Sequence, residues 1–212
     1  MTIHEYLLYL SNSGFVPNSI LDIGANVGDF SVFCKQIWQS SYILMIEGNE
    51  NCEEDLIRTN IPYKIALLGN ENKTVNFFIN KNNLKCTGCS YYKEVTRHYE
   101  DPIIVEKNLI RLDDLVDGVF DIIKIDTQGS ELDILKGGLN IVKKSKYIIL
   151  EIPIIEYNQG SPSYDDILNY MKSIGFSSNE IIENHIWPDN DFNNFKTGDI
   201  FQVDIIFNNF IV

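Results

Sequence analysis

Ser19-Ile20-Leu21-Asp22-Ile23-Gly24-Ala25-Asn26-Val27-Gly28 is the stretch from which the rest of the chain can be read. An apolar run closing on glycine predicts a buried strand that exits into a tight turn. From Asp29 onward Val32, Phe33, Gln36 and Ile37 fall on one stripe, which predicts a helix immediately after the turn. The same alternation recurs downstream. Tyr42–Ile46 reads as a second buried strand, residues 50–59 as a helix, and Tyr63–Leu67 as a third strand. Phe120–Ile125 is a fourth strand; Ser130 is placed to cap the helix that follows, and Gly137-Gly138 to stop it. Tyr147–Leu150 is a fifth strand. Tyr164, Ile167, Leu168, Met171 and Ile174 then line a helix that ends at Gly175. Strands separated by helices imply an α/β chain with a parallel sheet and right-handed crossovers.

Three segments depart from that alternation. Residues 1–18 hold a short lead-in helix with Ile3, Tyr6, Leu7 and Leu10 at helical spacing. Residues 70–110 predict a β insertion, with Val75, Phe77 and Ile79 alternating and Ile103-Ile104-Val105 as the partner strand. The tail from Glu180 to Phe207 lacks helical periodicity and predicts two antiparallel strands that close the sheet. A chain of 212 residues predicts one domain over 1–212 and buries roughly 70% of its unfolded surface without needing a staple.

Seventeen Lys+Arg against thirty Asp+Glu leave a net charge of −13, which repels polyphosphate and argues against a nucleic-acid partner. No apolar run approaches the ~20 residues that span a bilayer, and the N-terminal residues lack a secretory pattern, so no membrane insertion and a cytoplasmic location are expected. Cys34 and Cys52 stand singly and read as core fillers. Cys86-Thr87-Gly88-Cys89 is an isolated C-x-x-C whose nearest further ligand is His98, so neither zinc nor a redox role is favoured.

Open α/β sheets bind ligands beyond the carboxyl ends of the strands, which selects the turn after Ile23. Its spacing is G-x-x-x-G, not the dinucleotide G-x-G-x-x-G. Taken alone, those glycines are equally an ordinary strand-to-helix turn. Glu47 ends the second strand twenty-three residues after Gly24, close to where an acid grips a ribose diol. Together the two features favour a nucleoside site.

Asp22-x-Gly24-Ala25-Asn26-x-Gly28, Glu47, Leu112-Asp113-Asp114-Leu115 and the run Lys124-Ile125-Asp126-Thr127-Gln128-Gly129-Ser130-Glu131 with Leu135-Lys136-Gly137-Gly138 resemble the FkbM-type S-adenosylmethionine-dependent methyltransferases. The likeness runs from about residue 19 to residue 151. It implies a Rossmann-like class I methyltransferase fold with a mostly parallel seven-stranded sheet and antiparallel terminal strands. It also implies S-adenosylmethionine as cofactor, with Asp22 and Asn26 at its amino-acid end beside Gly24, Ala25 and Gly28. Glu47 would meet the ribose, and Asn49 and Ala66 would flank the adenine. One departure is Glu47-Gly48 where the family has Glu-Pro, which should loosen the loop bordering the adenine.

Asp126 is then the expected base or acceptor-orienting group, with Gln128 and Glu151 in support; the plainer role for Asp126 is to cap the next helix. Glu131 and Asp133 suit a helix's first turn. Asp113, Asp114, Asp126 and Glu151 are hard oxygen donors that would admit Mg²⁺, yet no spacing demands it and a metal is not favoured. His185 reads as a surface histidine or, more sharply, as a substrate-side base. Tyr91, Tyr92, Tyr157 and Tyr164 are either core edges or a platform for a sugar face. The signature Asn/Asp-Pro-Pro-Tyr of amino-group methylation is absent, so the expected reaction is O-methylation of a small-molecule or glycan hydroxyl. The alternatives are a nicotinamide-dependent reductase, a non-catalytic S-adenosylmethionine-binding module and a methyltransferase acting on peptide or protein. Oligomeric state is not legible.

Overall fold

A computed structural model describes residues 1–187 and 197–209, apart from the side chains of 178–180. Five strands form the parallel layer: β1 (Ser19–Ile23), β2 (Tyr42–Glu47), β3 (Tyr63–Ile65), β7 (Ile122–Ile125) and β8 (Tyr147–Pro153). β9 (Phe176–Ile186) and β10 (Ile200–Asn209) complete a seven-stranded sheet of order β3-β2-β1-β7-β8-β10-β9, with β10 antiparallel to both neighbours. Strand order reverses between β1 and β7, so their carboxyl ends flank the crevice where such sheets take ligands.

Alternating side chains feed two cores. Leu21, Ile23, Leu44, Ile46, Ile123 and Ile125 pack under helices α5 (Glu131–Gly137) and α7 (Tyr164–Ser173). Ile20, Ile43, Met45 and Ile122 pack under α1 (Ile3–Asn12), α2 (Asp29–Ile37) and α3 (Glu53–Thr59). Burial on both faces is why the parallel strands read as unbroken apolar runs. Thr2 and Glu5 form a capping box on α1, and Ser163 and Asp166 form one on α7.

Several local expectations are corrected. The third strand divides at Ala66: β3 stays in the large sheet, while β4 (Leu67–Gly69) pairs with β6 (Ile103–Arg111). β5 (Thr74–Ile79) pairs antiparallel with β6, as its alternation predicted, so the insertion is a second sheet of order β4-β6-β5. In α2 the buried residues are Phe30, Ser31 and Cys34, whereas Gln36 is exposed. The Ser31 hydroxyl donates to buried Asp22 at 2.7 Å, and this polar anchor sets the helix rotation that the apolar stripe alone misjudged. Ser130 does not cap α5; its hydroxyl donates to the Thr127 carbonyl.

Gly137 does not terminate a helix by adopting a left-handed conformation. A Cβ there would lie 2.0 Å from the Gly69 carbonyl oxygen, so the residue lets α5 touch β4 backbone to backbone before α6 (Leu139–Val142) begins. Alanine in a helix ordinarily gains up to about 1 kcal/mol over glycine. Here overpacking reverses the sign: Gly137→Ala is expected to cost about 2–3 kcal/mol and lower Tm by roughly 6–10 °C. A thermal melt with unchanged or raised Tm would refute the contact.

Candidate active site

The site is built where β1 and β7 release the chain. Gly24 has φ +78°, and a Cβ there would sit 1.8 Å from the Asp126 carbonyl oxygen, so only glycine fits between the two strand exits. Asn26 follows in the left-handed region, a conformation asparagine tolerates, and its N–H donates to Glu47 at 2.7 Å. The N–H of Asn49 donates to the other Glu47 oxygen at the same distance. Burial raises the Glu47 pKa, and those two N–H groups oppose the rise. A carboxylate has about four acceptor positions, so two remain for a ligand.

Gly24, Asn26, Glu47 and Ala66 line a first cleft of about 630 Å³ including its mouth. Its walls also include Ile46, Leu67, Phe77 and Ile134 and, among the described residues, no Lys or Arg. The other expected cofactor residues stand behind this surface. Asp22 is fully buried, with one oxygen bonded to Ser31 and the other without a hydrogen-bond partner among the described residues. Ala25 is buried, and Gly28 packs against Thr59 and Met45. Asn49 supports Glu47 from below rather than facing the cleft. Gly48 is not loose: Lys107 of β6 donates to its carbonyl at 2.6 Å and pairs with Glu50.

A second cleft, about 800 Å³ with its mouth, shares Thr87 and Asp126 with the first. Gln128, Glu151, Tyr157 and Gln202 form its floor. Lys124 Nζ lies 2.8 Å from Asp126, and Gln128, held at φ +54°, donates to Glu151 at 2.7 Å and to Asp126 at 3.3 Å. Gln202 donates to the other Glu151 oxygen, and the Tyr157 hydroxyl lies within bonding distance of both Gln128 and Gln202. Burial would raise the Asp126 pKa, but the Lys124 ammonium and its hydrogen bonds hold it below the usual range. Burial and the neighbouring Asp126 charge push Glu151 far up. Lys124 thus favours the charged form of Asp126, whereas burial disfavours the charged form of Glu151.

The remaining candidates divide. Tyr91 and Tyr92 donate to Asp133 at 3.0 and 2.8 Å, tying the insertion to α5, and Tyr164 packs on the core. Of the four tyrosines Tyr157 alone faces the second cleft, beside Trp187 and Phe201, whose rings meet edge to face at 5.0 Å. His185 lies outside that lining; it bonds to Asp204 at 2.7 Å, and this bond raises its pKa. Asp113 accepts from the N–H groups of Asn140 and Ile141, and Asp114 meets Asn72, so neither joins Asp126 and Glu151. Among the described residues the donors with metal-like spacing are Glu151, His185 and Asp204, and each already bonds to protein. Glu94, Trp187, Phe201 and Gln202 were not foreseen; they come from the insertion and tail, where no motif marks them.

The family model described as Methyltransferase FkbM domain matches residues 22–178. Among solved structures, the methyltransferase FkbM of Methylobacillus flagellatus KT shares 17% identity at TM-score 0.56, covering 92% of this chain but 45% of its own. The chain thus spans less than half the length of that protein. A protein assigned provisionally to RNA methylation in Pyrococcus horikoshii shares 12% at TM-score 0.53, over 97% of this chain and 81% of its own. Precorrin-6y C5,15-methyltransferase of Geobacter metallireducens GS-15 shares 15% at TM-score 0.50, over 95% and 85%. At these identities the likenesses show a Rossmann-like methyltransferase fold. A comparison with curated proteins gave no match.

Glu131 accepts from the N–H groups of Thr127 and Gly129, which braces the turn that carries Gln128. Glu131→Ala should therefore cost about 2–3 kcal/mol, or roughly 5–10 °C in Tm, and Glu131→Gln less, because it keeps an acceptor. Burial raises the Glu131 pKa to about 7, so between its unfolded value near 4.3 and pH 7 the folded state binds more protons. Stability from this residue is fully present below that window and falls as pH rises through it. Urea titrations should show the wild-type decline from pH 5 to 7 flattened in Glu131→Gln; identical slopes would refute the assignment.

Proposed function

Because the chain belongs to the FkbM methyltransferase family, we propose that it transfers a methyl group from S-adenosylmethionine to a hydroxyl of a small molecule or glycan. The observation that carries this reading is the junction: among the described residues the two clefts share Asp126 and Thr87 and no other lining residue. A donor in one and an acceptor in the other would meet at an ionised carboxylate.

The first cleft suits a sulfonium nucleoside. Glu47 keeps acceptor positions for a ribose diol, Ala66 and Leu67 offer a small apolar flank for adenine, and the absence of Lys and Arg among the described lining residues suits a ligand without phosphates. When bound, S-adenosylmethionine supplies an electrophilic methyl group and a good leaving group. The chain's own contribution is alignment and proton management. Asp126, fixed by Lys124 and Gln128, can accept a hydrogen bond from an acceptor hydroxyl and take its proton as the new bond forms. Trp187, Phe201 and Tyr157 offer apolar faces to a ring in the second cleft. The acid-rich chain speaks against RNA.

Calorimetry with S-adenosylhomocysteine should show binding to the wild type, at least about tenfold weaker binding to Glu47→Ala, and no heat with NADH. Methyl-labelled S-adenosylmethionine offered with glycosides, hydroxylated small molecules, peptides and tRNA should mark the hydroxylated compounds. Asp126→Asn should lower that transfer about 10²–10⁴-fold while S-adenosylhomocysteine still binds. Labelled peptide or tRNA, or transfer that survives Asp126→Asn, would overturn the reading.

A further inference from the structure

The C-x-x-C motif is a sequence feature that the proposed methyl transfer does not use, and the fold puts it on the wall of the first cleft. The segment after β5 is stitched to both loops around Glu47: the Asn26 amide donates to the Lys85 carbonyl at 3.1 Å, and the Asn49 amide to the Leu84 carbonyl at 2.7 Å. Lys85 also pairs with Asp55 of α3 at 2.6 Å. Cys86 and Cys89 follow directly, both half-buried and both lining the cleft. Their sulfurs are 3.5 Å apart. At Gly88, between them, a Cβ would lie 2.5 Å from a Glu94 oxygen and 2.9 Å from the Tyr99 hydroxyl, so both side chains close over the turn. Cys34 and Cys52, by contrast, are fully buried.

The two thiols differ chemically. Hydrogen bonds from Cys89 and from the Tyr99 hydroxyl, 3.0 Å away, outweigh burial and bring the Cys86 thiol down to about 6, while the same contact pushes Cys89 up. One is poised to attack and the other to resolve. Cys89 also receives the Asn49 amide at 3.5 Å, so this sulfur touches a residue that holds Glu47.

We propose that Cys86 and Cys89 are a modification site, a dithiol that small-molecule disulfides oxidise to an intramolecular disulfide and that thereby weakens ligand binding in the first cleft; the consequence rests on that cleft being the cofactor site. The Cys86 thiolate attacks one sulfur of the reagent and expels a thiolate. Cys89 then loses its proton, attacks the Cys86 sulfur and expels the second thiolate. Two electrons and two protons pass from the protein to the reagent, which leaves as two thiols. Closing 3.5 Å to a bond length of about 2 Å draws both sulfurs off Tyr99 and Asn49 and shifts the wall beside Glu47.

Reduced, folded protein would be treated with oxidised glutathione, then read by intact mass and by calorimetry with S-adenosylhomocysteine. The expected result is a loss of about 2 Da, a mapped Cys86–Cys89 link, and affinity about tenfold weaker that dithiothreitol restores. Cys89→Ser should stop at a mixed disulfide on Cys86. Cys86→Ser should bind the ligand equally before and after treatment. A wild type that shows no mass loss, that halts at the mixed disulfide, or that forms the link with unchanged affinity would overturn the proposal. Reduced protein that forms the link but never binds S-adenosylhomocysteine would instead sink the cofactor reading.

Discussion

The missing side chain at residue 24 is the constraint on which the site depends. With φ +78° and the Asp126 carbonyl 1.8 Å from where a Cβ would stand, Gly24 lets the exits of β1 and β7 meet backbone to backbone. That contact brings the turn that carries Asn26 and the turn that carries Gln128 to either side of one carboxylate. It also turns two separate depressions into clefts with a common wall at Asp126. A larger residue would have to push the strands apart, and the parallel ladder below, where Asp22 faces Lys124 in register, would resist.

That ladder explains a costly feature. Asp22 is fully buried and Lys124 nearly so. Burial alone would lower the Lys124 pKa, yet Asp126 and Asp22 together hold the ammonium charged. Buried ion pairs rarely add net stability, and removing one partner leaves an uncompensated charge. Two hydrophobic residues of similar volume would serve the sheet as well or better. What the ammonium provides is a lowered pKa for Asp126 beside the raised one of Glu151, at the wall that the two clefts share.

The parallel strands were legible because burial on both faces leaves an apolar run that few other structures share. Gly24, Asn26, Glu47, Asp126, Gln128 and Glu151 could also be found, since strand ends and glycine turns announce where a crevice opens. Asp22, Gly28 and Asn49 lie near the crevice in sequence but support it from behind, because spacing does not tell which way a turn directs each side chain. Ser130 and Glu131 show the same limit: serine is the commoner cap, but the glutamate reaches back to the turn's N–H groups. Phe201 and Gln202 reach the second cleft through the pairing of β10 with β8, and Trp187 through the pairing of β9 with β10. A contact between strands so far apart in the chain leaves no local periodicity to detect.

The insertion, read from sequence as a hairpin beside the main sheet, takes part in the first cleft. The fold makes it one wall of the first cleft and ties it there by three links: Lys107 to the Gly48 carbonyl, the Asn26 amide to the Lys85 carbonyl, and the Asn49 amide to the Leu84 carbonyl. Asn26 and Asn49 therefore each act twice, presenting a backbone N–H to Glu47 and a side-chain amide to the insertion. Hydrogen bonds that share a residue do not break independently. A displacement of residues 84–89 reaches the Glu47 carboxylate through those same two asparagines, and this coupling links Cys86 and Cys89 to the Glu47 end of the cleft.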